Sequence, residues 1–127
     1  VEKARIATDR AIELIRKAGG VAVLAHPGLL DVTDFEAYEY LISELVPMGL
    51  MGLEVYYPGH SPEETGYFLE LTEKYGLLAT GGSDFHGAIN PEIHIGTGTG
   101  DLAVPYIVYE RLAEEIGNLT AISSKPE

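Results

Sequence analysis

Asp84 and His86 stand two residues apart in "GLLATGGSDFHGA" (residues 76–88), after a short apolar run and a pair of glycines. The chain holds only four histidines in 127 residues, so one placed this close to an aspartate at the end of a strand-like segment asks for a chemical reason. In extended backbone, residues two apart point to the same side. An imidazole and a carboxylate placed that way can reach one metal ion or bridge two. Such donors suit Zn, Mn or Fe, and the absence of cysteine disfavours a purely structural zinc site. The plain alternative makes Asp84 a loop cap and His86 a surface residue.

Further candidates lie upstream. His26 ends the run "VAVLAH" and precedes Pro27, which predicts an extended backbone at His26. Taken alone it is either a satisfied core histidine or a ligand. Glu54 interrupts the apolar "LMGLEVYY" (50–57). A carboxylate buried there is expensive unless it faces a metal, accepts a proton or pairs with a basic residue. His60 follows the turn "YPG" and is either a loop histidine or a contact for an anionic group. His94, in "PEIHIG", reads as a strand or turn residue without chemistry. "GTGTG" (96–100) has neither the lysine of a P-loop nor dinucleotide-binding spacing, so it reads as a turn-forming loop. Ser83 is not in a G-x-S-x-G elbow. Tyr56 and Tyr57 suit stacking on a base or simple packing.

The elements that must hold these residues follow a βα rhythm. Strands are predicted near 21–26, 50–57 and 77–81, separated by helices over 33–46 and from Pro62 to about Tyr75. Thr33 with Glu36 and Ser61 with Glu64 have the spacing of capping boxes. One helix precedes the first strand, roughly 8–18, and another closes the chain, roughly 104–116. This is one α/β unit with at least three parallel strands, and the candidate residues fall at the C-terminal ends of those strands, where sites gather in parallel sheets.

Composition narrows the functions. The chain is 46% hydrophobic and 22% charged, as a globular domain is, and has no apolar run of membrane-spanning length. A net charge of −12, from 20 acidic and 8 basic residues, argues against a broad grip on nucleic acid. It leaves room for a nucleotide or RNA end held through bound cations. Without cysteine there is no disulfide and no thiol nucleophile, which fits a cytoplasmic protein.

Three stretches, "AGGVAVLAHPG", "GLEVYYPGH" and "LLATGGSDFHG", in that order and spacing, resemble the C-terminal half of PHP-domain (polymerase and histidinol phosphatase) metal-dependent phosphoesterases. The nearest branch removes phosphate from nucleoside 3′,5′-bisphosphates and trims short RNA from the 5′ end, and "GTGTGDLAVPYIVYERL" resembles that branch's ending. The resemblance covers nearly the whole chain. It implies part of a distorted (β/α)₇ barrel with two or three divalent metal ions (Mn, Zn or Fe) at the C-terminal rim. By motif it makes His26, Asp84 and His86 metal ligands. It makes His60 a catalytic candidate that contacts the substrate phosphate or protonates the leaving group. Glu54 is a further catalytic candidate, although the bridging glutamate of the family belongs to an earlier motif.

The family's H-x-H pair is not found in the chain, nor are the ligands expected before "AHP". The expectation is therefore the C-terminal portion of a PHP domain over residues 1–127, open to pairing with a second copy or a complementing N-terminal half. The rival expectation is a non-catalytic metal- or phosphate-binding fragment that completes a partner's fold.

Overall fold

The computed structural model describes residues 5–32 and 34–124. Helix α1 (Thr8–Lys17) is followed by strand β1 (Val23–Leu24), helix α2 (Phe35–Met48), strand β2 (Gly52–Tyr56), helix α3 (Pro62–Tyr75), strand β3 (Leu78–Gly81) and helix α4 (Tyr106–Ser124). The strands form one parallel sheet in the order β1-β2-β3. Consecutive parallel neighbours joined through helices are what the sequence rhythm predicts. β1 is shorter than the apolar run around it, because only Val23 and Leu24 pair, with Gly52 and Leu53.

Local chemistry sets the helix ends. At α3 the predicted capping box is complete: Glu64 N–H donates to Ser61 Oγ at 3.1 Å, and Ser61 N–H donates to Glu64 Oε1 at 3.0 Å. Pro62 sits at the first helical position, where its missing N–H is harmless. At α2, Thr33 lies outside the described residues, and the cap is Asp34, whose Oδ1 accepts from Ala37 N–H at 2.9 Å. Gly49 ends α2 with φ +109°, a conformation that favours glycine.

The core is built on β2. Leu53 and Val55 are fully buried against Tyr38 and Ile42 of α2 and Phe68 and Leu71 of α3. Tyr38 meets Phe68 edge-on, with ring centroids 5.0 Å apart. Glu54, lying between the two buried residues, is directed to the opposite side of the strand. A bulge between Glu54 and Tyr56 shifts the β2–β3 register, so that Glu54 pairs with Thr80 but Tyr56 with Gly81. Bulges of this kind re-aim side chains beside functional sites. A second cluster, Ile12, Ala22, Leu45 and Leu50, fixes α1 against α2. No helix among the described residues is long and apolar enough to cross a membrane.

Phe68, with no exposed surface, anchors α3 to both α2 and the sheet. Phe68→Ala is expected to lower unfolding free energy by about 3–5 kcal/mol. Ile89→Ala, at a residue 81% exposed, should change it by no more than about 0.5 kcal/mol. Urea denaturation of the two variants measures the difference.

Candidate functional site

The rim at the strand ends gathers His26, Glu54, Tyr57, His60, Asp84 and His86, and backbone geometry singles out two of them. His26 (φ +28°) and Asp84 (φ +57°) are the only non-glycine residues with positive φ among the described residues. Left-handed backbone at a non-glycine residue costs of order 1–3 kcal/mol and persists where its surroundings enforce it. One follows β1 and the other follows β3, on either side of the β2 carboxylate.

His26 departs from the extended conformation that Pro27 predicts. It begins a 3₁₀ turn over Pro27–Leu29, in which Leu29 N–H donates to His26 C=O at 3.0 Å. One side chain from the neighbouring strand β2 and one from the loop after it hold this turn. Glu54 Oε1 accepts from His26 N–H at 2.8 Å, and His60 Nε2 accepts from Gly28 N–H at 3.1 Å. The His26 ring packs on Tyr57, with centroids 5.3 Å apart, and its nitrogens have no hydrogen-bond partner among the described residues.

The bonding around His60 fixes its tautomer. Because Nε2 accepts from Gly28, the proton must sit on Nδ1, which donates to Val55 C=O at 2.8 Å. The ring is buried between Tyr57 and Phe68, so both nitrogens are engaged inside the protein. Glu54 likewise has no basic partner among the described ion pairs; its partner is the His26 amide. Its other oxygen, Oε2, lies towards Gly82.

Asp84 and His86 do come together, by a route other than an extended strand. The left-handed turn at Asp84 lets its own carbonyl accept from His86 Nδ1–H at 2.6 Å, with Asp84 Oδ1 3.6 Å from the same nitrogen. Holding Nδ1–H in this way leaves Nε2 as the open lone pair, a common arrangement for a metal-binding imidazole. Both side chains are exposed to solvent. Burial first, and then the Asp84 and Glu54 carboxylates, push the Tyr57 phenol above its usual pKa.

The donor types suit a hard or borderline divalent cation, with imidazole and carboxylate and no thiolate. Their number falls short: no three His, Asp or Glu among the described residues are arranged to hold one ion. His26, Asp84 and His86 can therefore furnish part of a coordination shell. His94 pairs with Gly98 in an isolated antiparallel bridge, in line with a turn role, and Ser83 is buried. A cleft of about 380 Å³ opens beside the rim between Tyr57, Pro58, Pro62 and Leu102. Its walls carry Asp101 and no lysine or arginine.

The sequence reading did not single out Gly28. A Cβ there would lie 2.5 Å from His60 Cδ2 and 2.9 Å from Glu64 Oε2, so glycine is required for close approach. Its signal was the "HPG" order, with a glycine straight after a histidine-proline pair.

The relatives of the chain are phosphoesterases. The chain is 41% identical over 86 residues to a phosphoribosyl 1,2-cyclic phosphate 1,2-diphosphodiesterase from Eggerthella lenta, covering 68% of this chain and 30% of that protein. It is 40% identical over 78 residues to a 3′,5′-nucleoside bisphosphate phosphatase from Chromobacterium violaceum, covering 61% of this chain and 27% of the relative. It is 35% identical over 78 residues to the 5′-3′ exoribonuclease Rnm of Salmonella typhimurium, covering 61% and 26% respectively. Its homologues are thus PHP-type phosphoesterases, as the motifs suggest. The chain spans about three-tenths of the length of these curated relatives.

Solved structures give the same picture. A protein assigned as a metal-dependent phosphoesterase from Bifidobacterium adolescentis superposes with a TM-score of 0.68 at 27% identity, over 91% of this chain and 38% of that one. An amidohydrolase from Chromobacterium violaceum, solved with sulfate and no metal, gives 0.70 at 30% identity, over 91% and 39%. No protein-family profile matches the chain.

The crowding at Gly28 gives a direct test of how the rim is held. Gly28→Ala should destabilise the chain by about 1–3 kcal/mol, because the wedged His60 ring cannot give way. In a ¹H–¹⁵N spectrum the amides of 26–30 should move while those of α1 stay in place.

Proposed function

We propose that this chain forms part of a metal-dependent phosphoesterase site within a (β/α)₇ PHP barrel, acting on phosphate esters of nucleotides or short RNA ends. The observation that carries the reading is the placement of left-handed backbone at His26 and Asp84, which follow β1 and β3 at the C-terminal rim of the sheet. Three relatives support the substrate class, since their names share phosphate esters on a ribose-bearing molecule.

In this reading His26, Asp84 and His86 hold divalent cations, Mn, Zn or Fe, at the rim. When bound, such a cation neutralises phosphate charge and lowers the pKa of a coordinated water. The chain's own residues prepare the place. Asp84 C=O keeps the His86 ring turned so that Nε2 is open, and Asp84 offers its carboxylate beside it. His26 presents a ring with no internal hydrogen bond against Tyr57. The described rim residues include no lysine or arginine, and the whole chain has a net charge of −12. A phosphate is therefore repelled unless cations reverse the local field. The remaining ligands would come from a complementing part of the domain or a second copy.

A second reading is a non-catalytic module that binds metal or phosphate and completes a partner's fold. It is favoured by one observation, that no three rim ligands converge on one point.

Mn²⁺ binding followed by electron paramagnetic resonance, with phosphate release from a nucleoside 3′,5′-bisphosphate, separates the two. The proposal expects Mn²⁺ binding and EDTA-sensitive release. In His86→Ala and Asp84→Ala, release should fall by about 10–100-fold or more. Metal binding without release, when a complementing N-terminal half of the domain is also supplied, selects the second reading. Absence of metal binding rejects the phosphoesterase reading.

A further inference from the structure

Glu54 is a catalytic candidate by its place in the sequence, and its geometry suits it to a positioning task. Its Oε1 accepts from the backbone N–H of His26, the residue with φ +28°, across 28 positions of sequence. His60, from the loop that follows the same strand, takes the N–H of Gly28 two residues on. Between them these two side chains engage both amides that flank Pro27, which has none. The start of the 3₁₀ turn is thus pinned on both sides of Pro27, by β2 and by the loop after it, and Pro27 is buried between the pins.

We propose that Glu54, assisted by His60, is a positioning residue. Its carboxylate acts as a fixed acceptor that keeps His26 in the left-handed conformation and so presents the His26 ring at the rim. A carboxylate is suited to this role because a charge-assisted bond to an N–H is roughly twice as strong as a neutral one. The bond can therefore oppose backbone strain that an unassisted turn would release. The bulge that follows Glu54 contributes by breaking the regular β2 ladder next to the site. This inference deepens the phosphoesterase reading and rests on it only for the consequence at the metal.

The test compares Glu54→Ala with Glu54→Gln in the intact chain. Gln keeps an oxygen acceptor but loses the charge, so acceptor geometry and metal coordination respond differently. In Glu54→Ala the His26 amide should lose its hydrogen-exchange protection and shift in the ¹H–¹⁵N spectrum, and Mn²⁺ affinity should fall about 10–100-fold. Glu54→Gln should restore the protection and bring affinity back to within about threefold of the parent, on the scale of a neutral acceptor replacing a charged one. If Gln is as damaging to Mn²⁺ binding as Ala while the His26 amide stays protected, Glu54 is itself a ligand or base and the proposal is overturned. An unprotected His26 amide in the parent chain overturns it without any variant, and so covers the case in which Glu54→Ala does not fold. If the parent binds no Mn²⁺, the phosphoesterase reading fails alone, because His26 protection still tests the clamp.

Discussion

A three-stranded parallel sheet depends on its middle strand, and here the strand must face two ways at once. Leu53 and Val55 go into the core between α2 and α3, and the alternation of a β-strand then commits Glu54 to the other side. The residue that stands there must be satisfied, because an unpaired carboxylate half-buried in a sheet would be costly. The His26 amide satisfies it. Core packing and rim geometry are thus two sides of one five-residue strand, and disturbing either disturbs the other.

The same constraint explains where strain collects. β1 contributes only two paired residues, so little of its ladder extends to steady the chain at His26. The turn that follows is secured by side chains from β2 and the loop after it. At the other edge, β3 ends at Gly81, and the chain makes a left-handed turn at Asp84 that an aspartate tolerates better than a β-branched residue would. Both strained residues are polar, and both sit where the sheet's regular hydrogen bonding stops.

Much of this was legible in the sequence. The spacing of apolar runs gave three parallel strands, and Ser61, Pro62 and Glu64 gave the start of α3 to the residue. These features are local, set by neighbours three or four positions away. The candidate residues were legible as a group because each follows a strand. Their individual duties were harder to read. Pro27 argues for an extended His26, and only the bond from Glu54, 28 residues distant, shows why that preference is overridden. The tautomer of His60 depends on Gly28, 32 residues away. Asp84 and His86 were expected to meet by strand alternation and meet instead through a carbonyl in a left-handed turn. β1 is shorter than "VAVLAH" predicts, because that run is apolar beyond the part that finds a pairing partner.

The packing around Gly28 bears on how this scaffold can be redesigned. Position 28 faces a histidine ring and a glutamate at distances that leave no room for even a methyl group. Gly66 and Gly117, inside α3 and α4, have nothing within 4 Å of where a side chain would begin. A library that diversifies the rim should therefore hold the His-Pro-Gly turn constant and draw its variation from elsewhere. Alanine at the two helical glycines offers a reserve of stability of roughly 0.5–1 kcal/mol each, against which changes of specificity can be tolerated.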